Sequence, residues 1–194
     1  MENGRHLARH VDGQGIPPHE GGVIRRCADL ELGTVLEIVN DAARAYRGVI
    51  PDHRWHEPHM SGDELRAEIE AGVEFWGYEE DGRLRGVVGL QHVDDVTLIR
   101  HAYVRTTDQR RGIGGALLAH VRRFTTGPML VGTWRDASWA VAFYERRGFC
   151  LVPDDETPAL LRRYWTVPQA QIAASVVLGD ERWTASRSSA DGHR

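Results

Sequence analysis

Tyr103-Val104-Arg105-Thr106-Thr107-Asp108-Gln109-Arg110-Arg111-Gly112-Ile113-Gly114-Gly115 is the stretch that decides how this chain is read. Before it, residues 97–104 form an apolar run of strand length; after it, Ile113, Leu117, Leu118, Val121 and Phe124 recur at helical spacing and predict a buried face. Three glycines and two adjacent arginines therefore fall where a strand hands over to a helix. The first turn of a helix presents backbone N–H groups without internal partners, at the positive end of the helix dipole. Glycine lets an oxyanion come close to those donors, and Arg110 and Arg111 add positive charge, so the loop suits a phosphate. The glycines by themselves fit a softened turn with solvated arginines equally well. Two familiar phosphate loops are excluded, because the Lys-Ser/Thr ending of a nucleotide P-loop is missing and the dinucleotide-binding spacing is not met.

Working outward, Val23-Ile24 predicts a short strand. Leu32, Val35, Leu36, Val39, Ala42, Ala43 and Tyr46 then share one helical face, with Asp29 as N-cap and Gly48 and Pro51 as the stop. Ser61 and Glu64 have the spacing of a capping box and open a second helix whose inner face carries Leu65 and Ile69. Residues 75–78 and 84–90 read as strands around Asp81-Gly82, a dipeptide suited to a tight hairpin, and Asp94-Asp95 turns the chain into the strand before the glycine loop. Downstream follow a strand over 129–133, a helix over 138–147 stopped by Gly148, and a strand over 149–152. A short helix opened by Thr157-Pro158 and running to Trp165, then a closing strand over 172–178, complete the order. That order predicts the α/β class, a mixed sheet with helices on both faces. Residues 1–22 and 185–194 lack a hydrophobic period and are expected to be mobile tails around one domain spanning 23–184.

A chain of 194 residues can build one core without disulfides or structural metal. Its net charge of -4 and pI of about 6.2 argue against a nucleic acid or an anionic membrane as partner. Cys27 and Cys150 have no metal-like spacing and fit a reducing compartment. No run approaches the roughly 20 apolar residues of a membrane span, and the N-terminus lacks the apolar core of a signal peptide, so a cytoplasmic location is expected. His53, His56 and His59 recur every third residue, but Pro58 interrupts any helix that would gather them and no cysteine joins them; no metal is expected.

Gln109-Arg110-Arg111-Gly112-Ile113-Gly114 resembles the Gln/Arg-x-x-Gly-x-Gly/Ala signature of the GNAT superfamily of N-acetyltransferases, preceded as in that family by a strand ending in Tyr103-Val104. Ala140-Val141-Ala142-Phe143-Tyr144-Glu145-Arg146-Arg147-Gly148-Phe149 is similar to the superfamily's Ala-x-x-x-Tyr-Glu-x-x-Gly-Phe block. The blocks stand in the family's order, and the resemblance covers about residues 23–178. It implies a mostly antiparallel central sheet with a splayed strand pair, acetyl-coenzyme A as acyl donor, and transfer of the acetyl group to a primary amine by direct attack on the thioester. By position, Tyr103 and Val104 are implied to give main-chain contacts to the pantetheine arm, and Gln109, Arg110, Arg111, Gly112, Ile113, Gly114 and Gly115 to bind the pyrophosphate. The superfamily often has an asparagine where this chain has Ala137, leaving Asp136 or Ser138 to contact the cofactor. The glutamate base of the histone-acetylating branch has its place at Leu98, so that base is absent.

Tyr144 stands where the family places a tyrosine near the cofactor sulfur, and a phenol with an ordinary pKa of about 10 holds a proton for a departing thiolate. A packed core aromatic is the plainer reading of the same residue. The base is left open among Asp94, Asp95, His92 and Glu57, each of which also reads as a solvated surface group. Acceptor contacts fall to the loop over 46–59, with Tyr46 and Trp55, and to His92. Loop and closing segment are similar to a bacterial subgroup of unassigned substrate, with a small-molecule amine expected first, a peptide N-terminus second, and a homodimer in keeping with the superfamily. The competing reading is a non-catalytic acyl-CoA-binding or regulatory module, which Leu98 and Ala137 favour and Tyr144 opposes.

Overall fold

The computed structural model describes residues 21–51, 55–165 and 167–191, with side chains through Arg187. Strands β1 (Val23–Arg26), β2 (Glu74–Glu80), β3 (Arg83–Val93), β4 (Val96–Val104), β5 (Met129–Trp134), β6 (Cys150–Leu151) and β7 (Ser175–Gly179) form one sheet in the order β1-β2-β3-β4-β5-β7-β6. Every neighbouring pair is antiparallel except β4 and β5. The helices are α1 (Leu32–Ala43), α2 (Gly62–Glu70), α3 (Ile113–Val121), α4 (Ser138–Glu145), α5 (Thr157–Tyr164), α6 (Gln169–Ile172) and α7 (Glu181–Asp191). Among the described residues no helix is long and apolar enough to cross a membrane.

Strand alternation sorts the core onto two faces. Val88, Leu90, Ile99, Val131 and Leu178 pack with Leu117, Leu118 and Val121 of α3 and with Tyr144 and Phe149. On the opposite face, Phe75, Leu84 and Val87 meet Val35, Ile38 and Val39 of α1 and Leu65 of α2. Leu98, Leu130 and Val177 continue that face against Leu161, Tyr164 and Ile172 of α5 and α6. Central strands thus bury both sides, which is why they read as continuous apolar runs.

Local chemistry explains most boundaries. Asp81 (φ 52°) and Gly82 (φ 69°) are both left-handed, as a two-residue hairpin turn between β2 and β3 requires. Ser61 accepts from the Glu64 N–H at 3.2 Å while the Glu64 carboxylate accepts from the Ser61 N–H at 2.7 Å, the expected reciprocal cap of α2. Asp29 is not the cap of α1: it begins a short 3-10 turn, and Glu31, held by Arg25, accepts from the Ala28 N–H instead. Phe124, expected inside, is 51% exposed and stacks on Trp76 at 4.6 Å, because the helix tightens into a 3-10 turn at residues 122–124. Ile172 belongs to α6, and the last strand begins at Ser175.

The largest difference is α7, which continues to Asp191 through residues 185–191, read from sequence as tail. Its start is set by Asp180, a fully buried carboxylate that accepts from the Trp183 N–H at 3.2 Å and the Met129 N–H at 3.1 Å. Arg187 then pairs with Glu156. A polar helix held by a buried cap, by the ion pairs of Glu181 and Arg187 and by Arg182 donating to the Thr125 and Gly127 carbonyls leaves no apolar period to read. Residues 1–20 and 192–194 of the expected tails, and His53 of the histidine series, lie outside the described residues. Asp180→Ala removes the cap and leaves the buried Met129 N–H unpaired, so urea melts are expected to lose about 2–3 kcal/mol of stability. A loss below about 0.5 kcal/mol would show that α7 is held by other contacts.

Candidate active site at the splayed strands

β4 and β5 pair only through Thr97–Met129, Leu98–Leu130 and Ile99–Val131. Beyond these the strands diverge and open a groove of about 620 Å³ between them, a volume suited to a ligand of cofactor-arm size. Ala42, Tyr46, His101 and Tyr103 line it from the side of α1; Leu117, Leu118, Phe143 and Tyr144 line it from the side of α3 and α4. The Arg105 N–H donates to the Arg85 carbonyl at 2.8 Å, so residues 105 and 103 turn their main chain toward β3. Alternation then turns the N–H and C=O of Val104 into the gap. Of the two residues read from sequence as main-chain partners, Val104 is so placed and Tyr103 is not. Tyr103 offers its ring instead, edge-on to Tyr46 at 6.5 Å.

The glycine loop closes one end of the groove. Arg110 (φ 62°) and Gly112 (φ 81°) are both left-handed and swing the chain so that α3 starts at Ile113 with Gly112 as its N-cap. Gly112 has no side chain to cap the first turn, which leaves the N–H groups of Ile113, Gly114 and Gly115 without helical acceptors. Gln109, Arg110, Gly112, Ile113, Gly114 and Gly115 all line the groove. A Cβ added at Gly114 would stand 3.2 Å from the Phe143 ring, and one at Gly115 would stand 2.8 Å from the Arg147 guanidinium. Arg110, Arg146 and Arg147 supply positive charge at this end. Arg147 is fixed by donating to the Phe143 carbonyl at 2.8 Å with its guanidinium 3.8 Å over the Phe143 ring. Sequence reasoning missed Arg146 and Arg147, although they follow Tyr144 by less than one helical turn.

Arg111 does not line the groove. It donates to Glu80 at 2.8 Å and Asp108 at 2.7 Å, and Arg85 lies near both carboxylates, so the second arginine of the motif ties the loop to the end of β2. The neighbouring residues Arg110 and Arg111 point opposite ways because Arg110 is left-handed. Arg111→Ala is therefore expected to lower the urea midpoint while Arg110→Ala leaves it unchanged; equal midpoints would show that the loop does not depend on this clamp.

Tyr144 is 7% exposed and lies between Phe143 and Phe149, edge-on to each at 5.0 and 5.6 Å. Burial pushes its phenol pKa up, so the hydroxyl keeps its proton at neutral pH. Tyr46, whose phenol is also pushed up by burial, packs against Trp139 at 5.4 Å.

Several residues singled out in the sequence lie elsewhere. Ser138 is exposed at the start of α4, whereas Trp139 and Ala140 of that helix line the groove; Ala137 is fully buried. Trp55 stacks on His59 at 5.8 Å, and Glu57 is exposed and pairs with Arg47 at 3.6 Å. Asp94 (φ 49°) forms the tip of the β3–β4 hairpin beside Arg163, Asp95 accepts from Tyr164 at 2.8 Å, and His92 bonds Thr97 at 3.0 Å. Asp94 lies about 16 Å along β4 from the last β4–β5 pair at ~3.3 Å per residue, and although His92 sits opposite Thr97, only two residues from that pair, none of these side chains lines the groove. A further titratable side chain at the groove that sequence reasoning missed is His101, whose Nε2 lies 3.2 Å from the Glu68 carboxylate. No sequence signal marks it, because a β-bulge sets its direction.

Residues 39–158 match the family model described as an acetyltransferase (GNAT) domain. Among solved structures, the chain is similar to a PaiA N-acetyltransferase from Thermoplasma acidophilum in complex with coenzyme A, with TM-score 0.63, 16% identity, and coverage of 82% of this chain and 98% of that one. A GNAT-family acetyltransferase from Staphylococcus aureus gives TM-score 0.62 and 14% identity over 82% of this chain and 98% of that one. The ribosomal-protein-S18-alanine N-acetyltransferase from Escherichia coli gives TM-score 0.57 and 15% identity over 82% of this chain and 92% of that one. A search of curated proteins finds no match. The structural likenesses establish the same open, mostly antiparallel sheet with one parallel pair. With the family model spanning both motif blocks, the chain belongs to the GNAT acetyltransferase family.

Proposed function

We propose that the chain is an acetyl-coenzyme A-dependent N-acetyltransferase that moves an acetyl group to the primary amine of a small molecule. The observation that carries this reading is the groove itself: uncapped N–H groups of α3 at one end, β4 main chain that β5 does not pair along it, with the Val104 C=O accepting, among the described residues, only from the Gln109 side chain at 3.3 Å, and the Tyr144 ring in its wall. The parts fit the donor's chemistry. Ile113, Gly114 and Gly115 would take the pyrophosphate on their N–H groups, with Gln109 beside them and Arg110 and Arg147 neutralising charge. Val104 would pair with the pantetheine arm as a strand partner does. The thioester then reaches the interior, where β4 and β5 meet.

The amine nitrogen attacks the thioester carbon, a C–N bond forms, and the C–S bond breaks. The leaving thiolate takes its proton from the Tyr144 hydroxyl, which burial keeps protonated. Tyr46, Tyr103 and Trp139 make the acceptor side aromatic, which suits the apolar body of a small amine. A cytoplasmic location suits the free cysteines: the Cys27 thiol is pushed up to about 11 by burial and is inert, and Cys150 is unpaired.

Thiol release from acetyl-CoA with phenethylamine, putrescine, L-lysine and an alanine-initiated peptide tests this. Turnover on one of the three small amines is expected; turnover on the peptide alone would move the acceptor class, and tight coenzyme A binding without release on any would favour a non-catalytic acyl-CoA-binding module. Tyr144→Phe keeps the packing and is expected to lower kcat by about 100-fold. An unchanged kcat would remove Tyr144 from the chemistry. Gly112→Val forces a β-branched residue into a left-handed backbone and is expected to raise the acetyl-CoA KM about tenfold, as a cost of 1–2 kcal/mol in the bound loop implies.

A further inference from the structure

Strict alternation along a strand sends consecutive side chains to opposite faces, yet Arg100 and His101 of β4 both reach Glu68 on α2. The cause is a β-bulge. Val87 pairs with Tyr103 and Gly89 with Arg100, so β4 carries one residue more than β3 between these pairs. His101 takes the strained left-handed conformation there, with φ 48°. Bulges of this kind re-aim a side chain, and backbone strain of this kind gathers at functional sites. The imidazole is turned onto the face of α1 and α2, stacked on Phe75 at 5.9 Å, and lines the groove.

The surroundings fix how the ring is used. Arg100 donates to Glu68 at 2.6 Å and to Gln91 at 2.7 Å, and Gln91 donates to the Ala71 carbonyl just past α2 at 2.9 Å. This chain of bonds holds the Glu68 carboxylate in place. Burial pushes the Glu68 pKa up, but His101 and Arg100 outweigh it and hold the carboxyl below its ordinary value, so it is ionised at neutral pH. His101 Nε2 lies 3.2 Å from Glu68 Oε2, and neither atom makes a hydrogen bond among the described residues, so the two buried groups are coupled by proximity and charge. Nδ1 is then the nitrogen left to accept a proton.

We propose that His101 is the base that takes the proton of the incoming amine, with Glu68 as the positioning residue whose buried carboxylate lies beside Nε2 and stabilises the imidazolium. The proposal rests on the acetyltransfer reading above. An ammonium R–NH3+ passes one proton to His101 Nδ1 and becomes nucleophilic. After the C–N bond forms, the nitrogen gives up a second proton, which passes through solvent to the phenolate that Tyr144 becomes on protonating sulfur; the proton on His101 returns to bulk solvent. Base and acid thus serve different atoms. The charged and titratable groups facing the imidazole are Glu68 of α2, Arg100 beside it on β4, His59 in the loop before α2, and Tyr46 across the groove.

The test uses the full chain as wild type, His101→Asn, His101→Gln, Glu68→Gln and Glu68→Asp. Asparagine is included because it tolerates the left-handed backbone at this position. Thiol release with phenethylamine, putrescine and L-lysine is followed from acid to alkaline pH, and calorimetry with coenzyme A reports whether each variant keeps its fold. Both His101 variants are expected to bind coenzyme A as the wild type does while kcat falls about 100-fold and the acid-side fall of the kcat/KM profile disappears. Glu68→Gln is expected to lower kcat about tenfold with the acetyl-CoA KM unchanged, and Glu68→Asp to recover part of it. A His101 variant that folds and keeps the wild-type kcat and acid limb overturns the assignment and leaves acetyl transfer standing. Wild-type protein that binds coenzyme A but releases no thiol with any of the three amines overturns acetyl transfer itself, and the base with it.

Discussion

A sheet is stable because each strand satisfies the hydrogen-bonding groups of its neighbours, and the organising constraint in this molecule is that β4 and β5 stop doing so after Ile99 and Val131. Everything functional follows from that break. The two strands are parallel, and the crossover between them runs through α3, so the start of that helix lies where the strands diverge. Leu117 and Leu118 of α3 and Tyr144 of α4 occupy the wedge on one face, while Tyr103 and Tyr46 occupy it on the other. The opening therefore passes between the strands, from a charged mouth to an aromatic one, and its walls belong to the same clusters that form the core.

Charge is sorted along this passage. Arg110, Arg146 and Arg147 face the mouth beside the uncapped helix start, and the Glu68 carboxylate with His101 lies toward the side of α2. A diphosphate would meet opposite charge at the arginine mouth. Arg111 belongs to neither set, because its ties to Glu80 and Asp108 are what hold the left-handed loop in shape. Of the four left-handed non-glycine residues among those described, Asp81 and Asp94 make hairpin turns, while Arg110 and His101 line the groove.

Local signals made much of this legible in the sequence. The Ser61–Glu64 cap, the Asp81-Gly82 turn and the apolar periods of α1 and α3 each depend on residues close together in the chain, and each appears in the structure. The glycine loop and Tyr144 were legible because two spaced blocks set them together. What escaped depends on contacts far apart in the chain. α7 is started by a buried carboxylate that also binds β5, and an exposed polar helix carries no apolar period. The candidate bases Asp94, His92 and Glu57 follow from residue type, but Asp94 sits at the far hairpin tip, His92 is bonded to Thr97 and does not line the groove, and Glu57 is taken up by Arg47. His101 was hidden for a third reason: a one-residue bulge reverses the face that alternation assigns, and only the pairing of β3 with β4 reveals it.

The central claim is that main-chain donors at the start of α3 and along the end of β4 hold the diphosphate and arm of coenzyme A. Residue-resolved amide hydrogen exchange, with and without coenzyme A, tests it most directly. The account predicts slowed exchange at Val104 and at Ile113, Gly114 and Gly115, with little change at the β3–β4 hairpin tip around Asp94. Saturating coenzyme A that leaves those four amides exchanging as before, or that protects only residues outside the groove, would contradict it.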